Sequence, residues 1–232
     1  MKSVVSWGAL ALLALSPLAM AKPIAFARGK TVMAEYGAGT MNEFQAFYAP
    51  TYWSSVGVGW TELQSVDGSK RRTFTYLRGN LLAHRWNLPG AQANVFVWGG
   101  LGNVRGNDFD AELSREVGVQ FDYETRRVYG SFKSDLQESE HTSNRVDTLQ
   151  LGWAPYEHEY DTLATWIVFQ ARDYTGGVDD GTEKALLLRL FKGGTWVEVG
   201  ATTDRHLQAM PWLNRKNRVR VPIQVRASRE PE

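Results

Sequence analysis

The sequence contains no cysteine. That excludes a disulfide framework, a thiolate metal centre and a lipid anchor on an N-terminal cysteine. Histidine is almost as scarce. His84, His141, His158 and His206 stand far apart, so no histidine cluster has metal-ligand spacing. After residue 21 no apolar run approaches the ~18 residues that a transmembrane helix needs. Neither charge dominates: Lys and Arg total 26 against 25 Asp and Glu. No basic block is interleaved with aromatics, so a nucleic-acid partner is not expected. Phosphate loops and dinucleotide fingerprints are missing too, and no cofactor is expected. A chain with these absences can still meet a membrane as a closed barrel or as a peripheral surface.

The first 21 residues have a basic start at Met1-Lys2, an apolar stretch from Ser3 to Leu18 and an Ala19-Met20-Ala21 cleavage pattern. They are expected to be a secretory signal peptide, leaving residues 22–232 as a single domain.

From about residue 30 onward, apolar and polar residues alternate. Val117, Val119, Phe121 and Tyr123 fall on one parity; Glu116, Gly118, Gln120 and Asp122 fall on the other. Successive side chains of a strand point to opposite faces, so this segment has one apolar and one polar face. About twelve such strands are expected: 30–38, 42–49, 52–63, 72–86, 92–104, 112–124, 126–136, 145–154, 160–172, 182–191, 195–202 and 218–227. Met41 to Tyr48 is the one stretch that also reads as a helix. Short turns at Pro50-Thr51, 87–90, Thr125, 155–159 and 192–194 alternate with longer polar connections at 64–71, 105–111, 137–144, 173–181 and 203–217. Gly39 to Met41 is the short exception among the second set. Tyr48, Tyr52, Trp53, Trp86, Tyr123, Trp153, Tyr156, Tyr160 and Trp196 gather at the short-turn side, where a membrane-interface girdle belongs.

One parity is expected to face lipid, with Val95, Val97 and Leu101, Val117, Val119 and Phe121, Leu149, Leu151 and Trp153, Leu163, Ile167 and Phe169, Leu186, Leu188 and Leu190, and Val197, Val199 and Ala201. The other is expected to face a lumen, with Asn94, Glu116, Gln120, Asp122, Lys133, Gln150, Gln170, Arg189 and Glu198. Arg78, a charge expected on the lipid side, and Phe96, Trp98 and Leu187, on the lumen parity, break this pattern, and Pro222 removes a ladder donor from the expected last strand.

Signal peptide, alternating strands, unequal connections and girdle together resemble the bacterial outer-membrane β-barrel class. The resemblance implies an all-β fold, an antiparallel transmembrane β-barrel of about 12 (10–12) strands, located in the outer membrane with its lipids as partners. It implies a narrow channel for a small solute or a structural envelope role, and no enzymatic activity. Members of the class usually end on an aromatic residue, whereas this chain ends at Glu232. A soluble periplasmic barrel that buries the apolar parity and binds a ligand is the alternative.

One string carries potential chemistry: Glu140-His141-Thr142-Ser143-Asn144. It resembles the His-x-Ser-Asn string of the outer-membrane phospholipase A and lipid A deacylase barrels. That resemblance implies His141 as general base and Ser143 as nucleophile, with Glu140 a candidate to orient the histidine. Family members continue with a small residue where this chain has Arg145. Read as residues alone, 137–145 is a polar loop. Glu157-His158-Glu159 and Asp179-Asp180 are acidic turns with too few ligands for a dedicated metal site, so no metal is expected.

Overall fold

The computed structural model describes residues 27–37, 40–159 and 162–216, and all regular structure among them is β-strand. Twelve strands run in chain order: β1 (Gly29–Gly37), β2 (Met41–Ala49), β3 (Ser54–Gln64), β4 (Arg71–Leu88), β5 (Ala91–Gly106), β6 (Glu112–Thr125), β7 (Val128–Glu138), β8 (Ser143–Trp153), β9 (Ala164–Thr175), β10 (Gly181–Lys192), β11 (Thr195–Thr202) and β12 (Leu207–Lys216). Each pairs antiparallel with its neighbours in sequence, and β1 pairs with β12 to close the barrel. Closure leaves no open sheet edge.

Turn chemistry sets the register. Thr125 Oγ1 accepts hydrogen bonds from the Arg127 and Val128 amides at 3.1 and 2.8 Å, fixing the two-residue turn between β6 and β7. From that turn the pairing is constant, with Phe121 opposite Phe132 and Arg115 opposite Glu138. Glycines make room for large neighbours across two pairs. A Cβ on Gly59 would lie 2.2 Å from the Tyr76 ring, and one on Gly118 would lie 2.3 Å from the Trp98 ring. Each ring therefore lies against bare backbone of the adjacent strand.

The last strand differs from expectation. Residues 203–217 were expected to form a loop before a strand at 218–227, but Leu207–Lys216 is β12. Residues 218–227, with Pro222, lie outside the described residues. The proline that matters is Pro211, opposite Val197 of β11. On its other side the β1–β12 ladder runs from Gly29–Lys216 to Met33–Trp212 and resumes at Tyr36–Ala209. The interruption falls opposite Pro211, where the missing amide proton leaves no donor. Met41–Ala49 is a strand, not a helix.

Connection lengths contrast less than the sequence suggests. The end carrying Pro89-Gly90, Arg126-Arg127 and Gly193-Gly194 is the turn end. Its 154–163 connection exceeds every connection at the opposite, loop end, the longest of which spans 65–70.

The alternation itself folds as expected, with the apolar parity outside. Leu101, Val117, Phe121, Leu151, Ile167 and Leu186 are exposed, Leu101 at 64% and Leu186 at 61%. Tyr48, Tyr52, Trp53, Trp86, Tyr123, Trp153 and Tyr156 stand exposed at the turn end; Tyr160 lies outside the described residues. Trp196 is corrected: it points inward, is 2% exposed and stacks on Trp212 at 5.4 Å. Arg78 is also corrected. It is 3% exposed in the lumen, and an irregularity between Leu82 and His84 gives the two halves of β4 opposite parities. Phe96, Trp98 and Leu187 do point inward, and there they pack.

Candidate functional site

The lumen is filled by side chains from all twelve strands. Near its middle Arg78 donates from Nε to Glu116 Oε2 at 3.1 Å and from Nη2 to Glu116 Oε1. Its guanidinium lies 4.9 Å from the Tyr76 ring centroid and 5.3 Å from that of Trp98. Asp135 accepts from Trp98 Nε1 at 2.6 Å and pairs with Lys133 Nζ at 2.7 Å. Glu43 accepts from Gln45 Nε2 at 2.7 Å and from the Tyr76 hydroxyl at 3.1 Å. Buried ions need partners: Arg78 pairs with Glu116 and Lys133 with Asp135, and Glu43 is held by neutral donors.

Toward the turn end, Arg189 pairs with Glu198, donates to Gln150 Oε1 at 2.9 Å and lies between the Tyr129 and Trp196 rings. Gln150 donates to Gln170 at 2.8 Å and Gln170 to Gln208 at 3.3 Å, a polar chain reaching across the lumen. Around Arg189 an apolar cluster gathers Met33, Trp166, Leu187, Phe191, Trp196 and Trp212. A cavity of about 90 Å³ lies above it, with Met33, Tyr129 and Trp212 as its turn-side wall and Arg78, Lys133 and Arg172 among its polar lining. Arg172 pairs with Glu35 at 2.5 Å. A second apolar cluster, Met41, Leu63, Phe74, Tyr76 and Val104, packs inside the barrel with Phe109 and Tyr174 against it.

The candidate catalytic string lies at the loop end. His141 is in the β7–β8 connection, and Ser143 is the first residue of β8, exposed and opposite Glu138. The structure brings to His141 a residue that the sequence reading missed. Glu112 Oε2 lies 2.6 Å from His141 Nδ1, and Glu112 Oε1 accepts the His141 amide at 3.0 Å. The ring stacks on Phe109 at 5.2 Å, and the guanidinium of Arg72, bidentate to Asp108 at 2.6 and 2.9 Å, lies 4.8 Å from the centroid of that phenyl ring. The Glu112 carboxylate raises the imidazole pKa above its ordinary 6.5 through the hydrogen bond and its charge. The arrangement leaves Nε2 as the ring nitrogen facing away from the carboxylate, the pattern of an oriented general base. No hydrogen bond joins His141 to Ser143 among the described residues. Glu140 is adjacent: its ligand oxygen, one from Glu112 and one His141 nitrogen lie within 4.8 Å of one another.

Glu112 was legible in principle. The β6–β7 register places Arg115 opposite Glu138, and continuing the same offset three residues places Glu112 opposite His141. The two-residue turn at 126–127 was the signal.

The other acidic turns do not assemble comparably. His158 packs edge-on against Trp166 at 5.4 Å, and burial lowers its pKa. Glu157 faces Arg126 at 3.7 Å. Asp179 Oδ2 accepts the Val66 amide at 2.7 Å and Asp180 Oδ1 the Gly176 amide at 2.6 Å, so both brace loops.

No family model matches the chain, and no curated protein is similar to it. Among solved structures, one chain comes from work described as "Unveiling the Mechanism Behind the in-meso Crystallization of Membrane Proteins". It is 9% identical, with a TM-score of 0.40, over 81% of this chain and 83% of that one. That likeness is too distant to inform function.

Proposed function

We propose that this chain is an outer-membrane β-barrel with a closed lumen, serving a non-conducting, non-enzymatic role in the bacterial envelope. One observation carries the reading: the barrel is apolar outside and charged inside. A water-soluble barrel buries its apolar parity, and soluble proteins rarely expose apolar patches beyond a few hundred Å². Here the exposed apolar residues run over every strand, from Val32 of β1 to Leu213 of β12. Lipid satisfies such a surface, and the aromatic ring at the turn end suits the headgroup level. The Trp196–Trp212 cluster beneath a small cavity favours a plugged barrel over a channel. Fractionation with gel migration before and after heating tests the reading. Recovery in the outer-membrane fraction with heat-modifiable migration is expected. A protein that stays in the soluble fraction without detergent sinks it.

A second reading rests on the Glu112–His141 contact. Glu112 orienting His141, with His141 activating Ser143, would cleave an ester of phospholipid or lipid A at the rim of the lipid face. Fatty-acid release by the detergent-solubilised protein, lost on Ser143→Ala, supports it; absence of release by the unaltered protein ends it.

A further inference from the structure

We propose that the seam where β1 meets β12 binds the phosphate of an anionic lipid at the turn end, on the outer surface between Lys30 and Arg215. The site rests on the membrane reading given above.

Lys30 and Arg215 are register partners across the seam, and both are exposed. Directly opposed side chains share a face, with Cβ atoms about 4.5–5.5 Å apart, and like charges so placed repel and weaken the pairing. No carboxylate offsets them. Among the described residues neither side chain has an ion-pair partner. The acids of the five neighbouring strands β10, β11, β12, β1 and β2 are Glu35, Glu43, Glu183 and Glu198, and all four take the inward parity. The outward face of these strands therefore carries no negative side chain. Lys192, exposed on β10 and two strands away from β12, adds a third cation at the same end.

The surroundings select a lipid over a free ion. On its other side Lys30 is opposite Tyr48 of β2, also exposed, so Arg215, Lys30 and Tyr48 form one row across three strands. The next outward row toward the middle of the barrel is Leu213, Val32 and Ala46, an apolar surface. Cations and a tyrosine bordering an apolar band suit the headgroup level of a leaflet. A lipid matches both rows. Its phosphate lies between the two cations and relieves their repulsion, and its acyl chain runs along Val32 and Leu213. Inorganic phosphate satisfies the first row alone.

Two measurements on the full chain test the site. Native mass spectrometry of the detergent-solubilised barrel should show phosphatidylglycerol retained more tightly than phosphatidylcholine, whose choline neutralises the phosphate. Lys30→Gln/Arg215→Gln should lower the phosphatidylglycerol affinity roughly thirtyfold, and Arg215→Gln alone roughly fivefold, with unchanged gel migration; the single variant guards against misfolding of the double one. Urea unfolding in vesicles should reverse sign with lipid. In phosphatidylcholine Lys30→Gln should unfold no earlier than the unaltered protein, because it removes a repulsion. With phosphatidylglycerol mixed in, it should unfold earlier. Equal retention of the two lipids, unaltered affinity in the folded variants, or displacement of the retained lipid by equimolar inorganic phosphate each overturns the proposal. A barrel that inserts into both kinds of vesicle without preferring phosphatidylglycerol overturns this site and leaves the membrane reading standing; a barrel that enters neither overturns both.

Discussion

Glu198→Ala should be among the most damaging single substitutions in the barrel. Arg189 and Glu198 face one another across β10 and β11 and are 1% and 2% exposed. Removing the carboxylate leaves a guanidinium with Gln150 as its remaining oxygen partner and with Nη1 already lacking one. Breaking a buried ion pair from one side costs about 3–5 kcal/mol, because the surviving charge stays desolvated. That is a fall of roughly two to four decades in the folded-to-unfolded ratio. Removing both charges is a different perturbation. In Arg189→Met/Glu198→Leu the contacts to Tyr129 and Trp196 lose their cation, worth about 0.5–2 kcal/mol each. Sulfur–aromatic contacts of about 0.3–1.5 kcal/mol replace part of that, and no charge is stranded. The double variant should therefore be more stable than Glu198→Ala by about 2 kcal/mol or more. Urea titration of the detergent-solubilised barrel, followed by gel mobility without heating, measures both midpoints. If the double variant unfolds as early as the single one, the cost comes from lost packing and the stranded-charge argument fails.

Three further outcomes test other parts of the structure. Leu188→Arg, at the middle of the apolar exterior, should cost about 2–4 kcal/mol in lipid vesicles, against about 0–1 kcal/mol for Thr182→Arg near the loop end; equal, small costs would mean the exterior does not contact hydrocarbon. In planar bilayers the protein should give no current steps above baseline, whereas Trp196→Ala/Trp212→Ala should introduce them; steps from the unaltered protein would refute the plug. Because Glu112 raises the His141 pKa in the folded state, the contact should stabilise fully below about pH 6.5 and fade as pH rises through the raised value. An NMR titration of the ring should give a midpoint above 6.5 that returns toward it in Glu112→Gln; a midpoint at or below 6.5 would refute the carboxylate's role.

Strands were legible wherever their two faces differed in polarity. In β6 and β8 the inward residues are Glu116, Gln120, Asp122 and Gln150, and contrast with outward Val117, Phe121, Leu149 and Leu151 gives the period directly. In β12 the inward residues include Met210 and Trp212, and the outward ones are Leu207, Ala209, Pro211 and Leu213. From Ala209 to Leu213 both faces are apolar, so the period vanishes and the segment reads as a loop. Trp196, Phe96, Trp98 and Leu187 were misfits for the same reason. A narrow barrel fills its own interior with side chains, and part of this filling is the apolar cluster at the turn end. An expectation that inward means polar fails where apolar side chains pack inside the barrel. Arg78 was misplaced by a different cause, since one irregular step at Leu82–His84 reverses parity over the rest of β4.

Those misfits argue for one conclusion about the interior. A water-filled channel would keep the inward parity polar along its whole length, because every inward side chain would meet solvent. Here apolar inward clusters sit at both ends, around Trp196 and Trp212 at the turn end and around Leu63 and Phe74 at the loop end, while the ion pairs of Arg78, Lys133 and Arg172 lie around the cavity beside Trp212. That packing supports the proposed closed lumen. Trp196 and Trp212 stack inside the barrel, the packing that the proposed plug requires. The loop end is then where this barrel can present chemistry to its surroundings. The oriented His141 lies there.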